Sequence, residues 1–208
     1  MRFAILALLA LSVFGADPAP LATAIKSGQR AAALDMLAKK SGDVNAVETD
    51  GSTALLWAAN LNDTDLVSRL IKAGANAKAK NQLGSTPLSE AVYNSNTEMV
   101  KVLLDAGADP NATGPDGQTP LMVVAKTSNV AIAKLLLDKG ANVNAKEAQR
   151  EQTALMWAAA SSQAAMVREF LARGAEVDAK SAVDMMTPLV SSEPRAQDRK
   201  STRLNSSH

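Results

Sequence analysis

Thr53-Ala54-Leu55-Leu56-Trp57-Ala58-Ala59 (TALLWAA) returns almost letter for letter as Thr153 to Ala159 (TALMWAA), and the two phrases hold both tryptophans of the 208-residue chain. Shifting the sequence against itself accounts for the coincidence. Thr53, Thr86 and Thr119 stand 33 residues apart, and Thr153 and Thr187 follow at steps of 34. Gly74, Gly107 and Gly140 keep the same step of 33, with Gly174 again at 34. A period of this length marks one supersecondary unit repeated in series.

Each unit opens on a turn, Asp50-Gly51-Ser52-Thr53, Leu83-Gly84-Ser85-Thr86 or Asp116-Gly117-Gln118-Thr119, where Gly supplies a positive φ. Thr then caps a short first helix, and Pro87 and Pro120 fall at its first position, where a missing N–H costs nothing. Small pairs such as Ala58-Ala59 let that helix approach its neighbours closely. A second helix is expected after Asn62, Ser95, Ser128 and Ser162, joined by a connection short enough to force an antiparallel pair. Its apolar residues recur at helical spacing: Leu66, Val67, Leu70, Ile71; Met99, Val100, Leu103, Leu104; Ile132, Ala133, Leu136, Leu137; Met166, Val167, Phe170, Leu171. The periodic Gly is expected to end each second helix in a left-handed conformation, before an extended segment such as Ala141-Asn142-Val143-Asn144.

Turn, helix pair, closing Gly and the finger that follows resemble the ankyrin repeat, whose pattern is T-P-L-H-x-A with a period of 33. The resemblance implies an all-α solenoid of helix–turn–helix units with short extended fingers. Its units are a degenerate N-terminal capping repeat over 17–49, four repeats over 50–82, 83–115, 116–149 and 150–183, and the start of an incomplete sixth over 184–197. The motif His is replaced by Leu56, Ser89, Met122 and Met156, so the loop-tying hydrogen bonds of that side chain are expected to be missing. The last full unit starts Arg150-Glu151-Gln152, with one extra residue in the finger before it, which predicts a looser junction. Lys26, Arg30, Lys39 and Lys40 are expected to decorate the outer side of the N-terminal cap, and the Phe170/Leu171 face is expected to lie open at the other end.

Hydrophobic residues make up 47% of the chain but aromatics only 3%, a balance that favours close-packed helices over a β-sandwich. Met1-Arg2, the apolar run Phe3 to Phe14 and the small residues Gly15-Ala16 read as a signal peptide over 1–16, against an uncleaved anchor or a buried first helix. Periplasmic or secreted location is the expectation, with no stable membrane insertion after cleavage. The absence of Cys excludes disulfides and leaves stability to packing. The tail Asp198 to His208 can be back-translated to a string resembling a common short-read sequencing adapter, so 198–208 reads as an artefact, with a natural polar C-terminus as the alternative. The chain is expected to be a truncated product. Setting aside Arg2, Arg199, Lys200 and Arg203 among 22 basic residues, and Asp198 among 21 acidic ones, leaves a remainder of about −2. That removes the case for a nucleic-acid partner.

The only histidine, His208, lies in that tail. The body therefore offers no Ser–His or Cys–His pair and no usual zinc set. Every Gly is absorbed by turn or cap periodicity, so no phosphate loop is left. Asp63 with Asp65, or Asp105 with Asp109, could form an acid pair but sit where solvated loop acids are expected. No catalytic residue, cofactor or metal is assigned, and binding of another protein is the expected function. The ankyrin resemblance implies a concave groove lined by first helices and finger tips. It assigns partner contact to Trp57, Glu90, Val123 and Trp157, the residues just before the small pair, and to Ser52, Ser85, Gln118 and Gln152 in the turns. Whether the two indoles bind or only pack stays open at this point. At about 10 Å per unit they stand roughly 30 Å apart and cannot share one small pocket. Two other readings are a recognition arm of a larger exported enzyme and a cytosolic adaptor.

Overall fold

The computed structural model describes residues 17–114 and 116–182. The signal-peptide reading, the sixth unit from Asp184 onward in the partition above and the adapter-like tail therefore fall outside the described residues. Ten helices follow in order among the described residues: α1 (Pro20–Lys26), α2 (Arg30–Lys39), α3 (Ala54–Asn60), α4 (Thr64–Lys72), α5 (Pro87–Tyr93), α6 (Thr97–Asp105), α7 (Pro120–Val124), α8 (Val130–Asp138), α9 (Ala154–Ala160) and α10 (Ala164–Ala172). No strand forms among the described residues, only the isolated bridges Val47–Thr53 and Lys146–Thr153 at the base of two fingers. Odd-numbered helices pack in one row, each on the next, and α4, α6, α8 and α10 form a second row behind them.

The local chemistry sets these boundaries. Thr53, Thr86, Thr119 and Thr153 each accept the amide three residues on, starting α3, α5, α7 and α9. The second helices begin one residue later than Asn62, Ser95, Ser128 and Ser162 suggest, because those four residues have φ of 51 to 59° and belong to the reversal itself. Asp63, Asn96 and Asn129 are the caps, accepting from Leu66, Met99 and Ile132. At the far end of α4, Gly74 has φ 92°, its amide donates to the Ile71 carbonyl and that of Ala75 donates to Leu70. This paired bonding closes the helix with its orphan carbonyls satisfied, and the other second helices from α6 on repeat it.

The apolar rows behave as a stack requires. In central α6, Met99, Val100, Leu103 and Leu104 are all buried, whereas in terminal α10 only Met166 and Phe170 are. Phe170 nonetheless has no exposure, and Leu171 is half-buried, which corrects the expected open Phe170/Leu171 face. The outer decoration of the first unit is corrected for two of its four residues. Lys26 meets Glu48 of the same unit's finger at 3.1 Å, and Arg30 reaches Asp63 and Asp65 of the next unit, each at 2.6 Å, while Lys39 and Lys40 are exposed.

The motif His has been replaced by other ties. Ser89 Oγ accepts the Thr86 amide at 2.9 Å and Met122 Sδ accepts the Thr119 amide at 3.5 Å, so two of the four substitutes do form the return bond. Between units, Asn45, Asn111 and Asn144 each donate to the closing-Gly carbonyl of the next unit and accept an amide just beyond it. Lys78 holds the corresponding place in the second finger and cannot accept. On the opposite side Asn96 donates to Asn62 Oδ1 at 2.7 Å and Thr64 Oγ1 at 2.9 Å.

The Arg30 pair also makes a pH prediction. The Asp63 carboxyl is held below its ordinary value first by the hydrogen bond from Arg30, and that of Asp65 first by the one from Arg69. A carboxyl whose pKa is lowered on folding stabilises the fold above its unfolded value, near 4, and that contribution is lost as pH falls through the lowered value. Asp63→Ala removes both the α4 cap and the pair, and should cost about 1 kcal/mol at pH 7 and less at pH 3. Urea melts at the two pH values check this; an equal loss at both would contradict the assignment.

Candidate functional site

The first-helix row brings Trp57, Glu90, Val123 and Trp157 to equivalent places on α3, α5, α7 and α9. Trp57, Glu90 and Trp157 are half-buried, whereas Val123 is only 7% exposed. Glu90 accepts from Asn60 Nδ2 at 3.1 Å. The turn residues divide in the same way. Ser52 is 1% exposed because its hydroxyl donates to Asp50 and accepts from Asn81, tying one finger to the next. Gln152 is also buried, while Ser85 and Gln118 are half-buried. The most open apolar finger residue is Leu83, 70% exposed, at the turn position that carries Asp in the units on either side. Tyr93, at the end of α5, is 48% exposed. Its phenol is pushed up by burial and then by the negative Asp116 and Glu90.

Each Trp carries a lysine from the preceding unit. Lys26 Nζ stands 4.8 Å from the centre of the Trp57 ring, and Lys126 Nζ stands 3.7 Å from that of Trp157. Both lie six residues after a helix-opening proline, Pro20 or Pro120, so the stack places both ammonium groups in the same register. An ammonium over an indole face is attracted by the ring quadrupole.

The two sites then diverge. At Trp57, Glu48 accepts the indole Nε1–H at 2.8 Å, pairs with Lys26 at 3.1 Å and accepts from Thr23 Oγ1 at 3.3 Å. Ring, ammonium and carboxylate close on one another. Glu147 is the corresponding finger residue before Trp157, but its carboxylate accepts the backbone amides of Gln149, Arg150 and Gln152 instead. The Trp157 Nε1–H is buried with no hydrogen-bond partner. Lys126 turns to Gln118 Oε1 at 3.1 Å.

The cause lies in the turns. Asp50 accepts the Ser52 amide at 2.8 Å and closes the first turn by itself, which leaves Glu48 free. Where that Asp is missing, the residue at the Glu48 position must close the turn. Asn81 accepts from Leu83 and Ser85, and Glu147 does the same service for the Arg150 turn. The extra residue of the longer finger is taken up there, with Glu151 at φ 54° and the bridge at its base preserved. An open cleft of about 260 Å³ lies beside Trp157, between Asp116, Gln118, Gln149 and Arg150.

Neither acid pair singled out in the sequence stands free. Asp63 and Asp65 are bound by Arg30, and Asp105 by Lys139 at 2.8 Å. Among the described residues no three His, Cys, Asp or Glu side chains are grouped to hold a metal. No helix of the described residues is long and apolar enough to cross a membrane.

Helix pairs stacked in register, with half-buried side chains along the row of first helices, define an all-α repeat solenoid. The family follows from the sequence itself: the profile of ankyrin repeats in three copies matches residues 21–114 and again 110–181, and the chain belongs to the ankyrin-repeat family. Comparison with curated proteins gave no significant match. Ankyrin repeats are in general modules that bind other proteins, and typically not catalysts.

Proposed function

We propose that this protein is an exported, non-enzymatic scaffold that captures another protein on the face formed by its inner helices and fingers, in a periplasm or outside the cell. The observation that carries this reading is the row Trp57, Glu90 and Trp157, held half-buried on α3, α5 and α9 of one helix stack. A face already fixed by packing loses little conformational freedom on association. Large rings on it have the character of interface hot spots. A photo-crosslinking residue at Glu90 should give a discrete protein adduct in the expressing cell, and the same group at exposed Lys101 on α6 should not. Adducts from Lys101 alone would overturn the choice of face.

Export rests on the basic start, apolar run and small residues of the first 16 positions. Mass spectrometry of the mature protein should find Ala16 or Asp17 at its N-terminus. Met1 retained on protein in the cytosolic fraction would overturn it.

A further inference from the structure

We infer that the Trp157 cleft takes a carboxylate from an acidic segment of the partner, which occupies the position that Glu48 fills beside Trp57. The inference rests on the reading of this face as the partner-binding one. Two copies of one arrangement stand within this single chain. Lys26, Trp57 and Glu48 form a complete set, in which the carboxylate takes both the indole N–H and the ammonium. Lys126 and Trp157 repeat the first two members in the same register, with the ammonium closer to its ring, but the third has been withdrawn to close the turn at Arg150. The result is a buried indole N–H without a partner, an orphan donor of the kind folded proteins rarely leave.

The charges around the cleft favour the same occupant. Lys126 and Arg150 are both exposed, and neither has an ion-pair partner among the described residues. Glu147 is engaged by three backbone amides, which leaves exposed Asp116 as the one unengaged acid on the lining. The Trp157 Nε1 atom is covered in the structure, so a carboxylate reaches it as the exposed Lys126 side chain moves off the ring and pairs with it. Lys126 gives up one neutral acceptor, Gln118, for a charged one, and charge-assisted bonds are the stronger kind.

The test uses the full chain, whose two tryptophans give two resolved indole N–H signals in nitrogen-edited NMR. A capped Gly-Glu-Glu-Gly peptide should shift the Trp157 signal and leave that of Trp57 in place, and the Gln-for-Glu peptide should shift neither. Lys126→Met should weaken the response about tenfold, the factor that one charge-assisted bond supplies. Glu48→Ala should open the first site, so that the Trp57 signal now responds as well. A silent Trp157 signal, equal response to the Gln peptide, or no new response in Glu48→Ala would each overturn the inference. If the Trp157 signal is silent while Glu90 crosslinking persists, the carboxylate is lost and the binding face stands; responsive indoles without adducts at Glu90 would give the reverse.

Discussion

Replacing Phe170 by alanine should destabilise the C-terminal end of the stack by about 3 to 5 kcal/mol, the range for a fully buried aromatic cut back to a methyl group. Phe170 has no exposure and is the largest fully buried side chain among the described residues. Its carbonyl also accepts the Ala175 amide that closes α10 at 3.0 Å, so the ring and the helix end are fixed by one residue. α10 rests on α9 and α8, while Val167 and Leu171 on either side of Phe170 are only half-buried. Little else in that helix can make up the loss. Because a stacked unit depends chiefly on its neighbours, the defect should open the last unit before the centre. Hydrogen exchange should show α9 and α10 losing protection while α5 and α6 keep theirs, and Phe170→Leu should cost about 1 kcal/mol with the same pattern. Uniform loss across all ten helices would show instead that the stack melts as one block.

The repeat, the helix pairs and most of the core were legible because they rest on local, periodic chemistry. Thr caps, closing Gly residues and apolar spacing recur at fixed steps, and each acts within a few residues of itself. The ties between units were less legible. Asn45, Asn111 and Asn144 recur on the period as plainly as the glycines do, yet their role depends on bonds to residues 29 to 32 positions away. The burial of Ser52 was missed for the same reason, since its acceptor role belongs to Asn81 in the next finger. Lys26 and Lys126 could have been found: each precedes its Trp by 31 positions, a spacing that the doubled TALLWAA and TALMWAA phrase invites one to check. The fate of Glu48 and Glu147 could not, because it turns on whether another residue has already closed a turn. Two carboxylates in matching sequence positions end with different partners through a competition that only the folded geometry resolves.

That competition gives the second large effect, a pair of matched substitutions with opposite signs. Trp57→Phe keeps a ring beneath Lys26 but removes the N–H that Glu48 accepts at 2.8 Å, and a bond to a charged acceptor is worth about 1.5 kcal/mol or more. Trp157→Phe keeps a ring beneath Lys126 and removes a buried donor that has no partner, which relieves a desolvation cost of about 1 kcal/mol or more. Each change trades indole for phenyl against a lysine, so losses of ring area and of cation attraction largely cancel between the two. Trp57→Phe should therefore lower the melting temperature, Trp157→Phe should raise it, and the two variants should differ by about 2.5 kcal/mol in urea melts. Equal destabilisation would mean that both indoles only pack. Partner capture should run the other way: Trp157→Phe should reduce the yield of the Glu90 adduct while Trp57→Phe spares it. A donor whose removal firms the fold and weakens binding is held unsatisfied for an acceptor that arrives from outside.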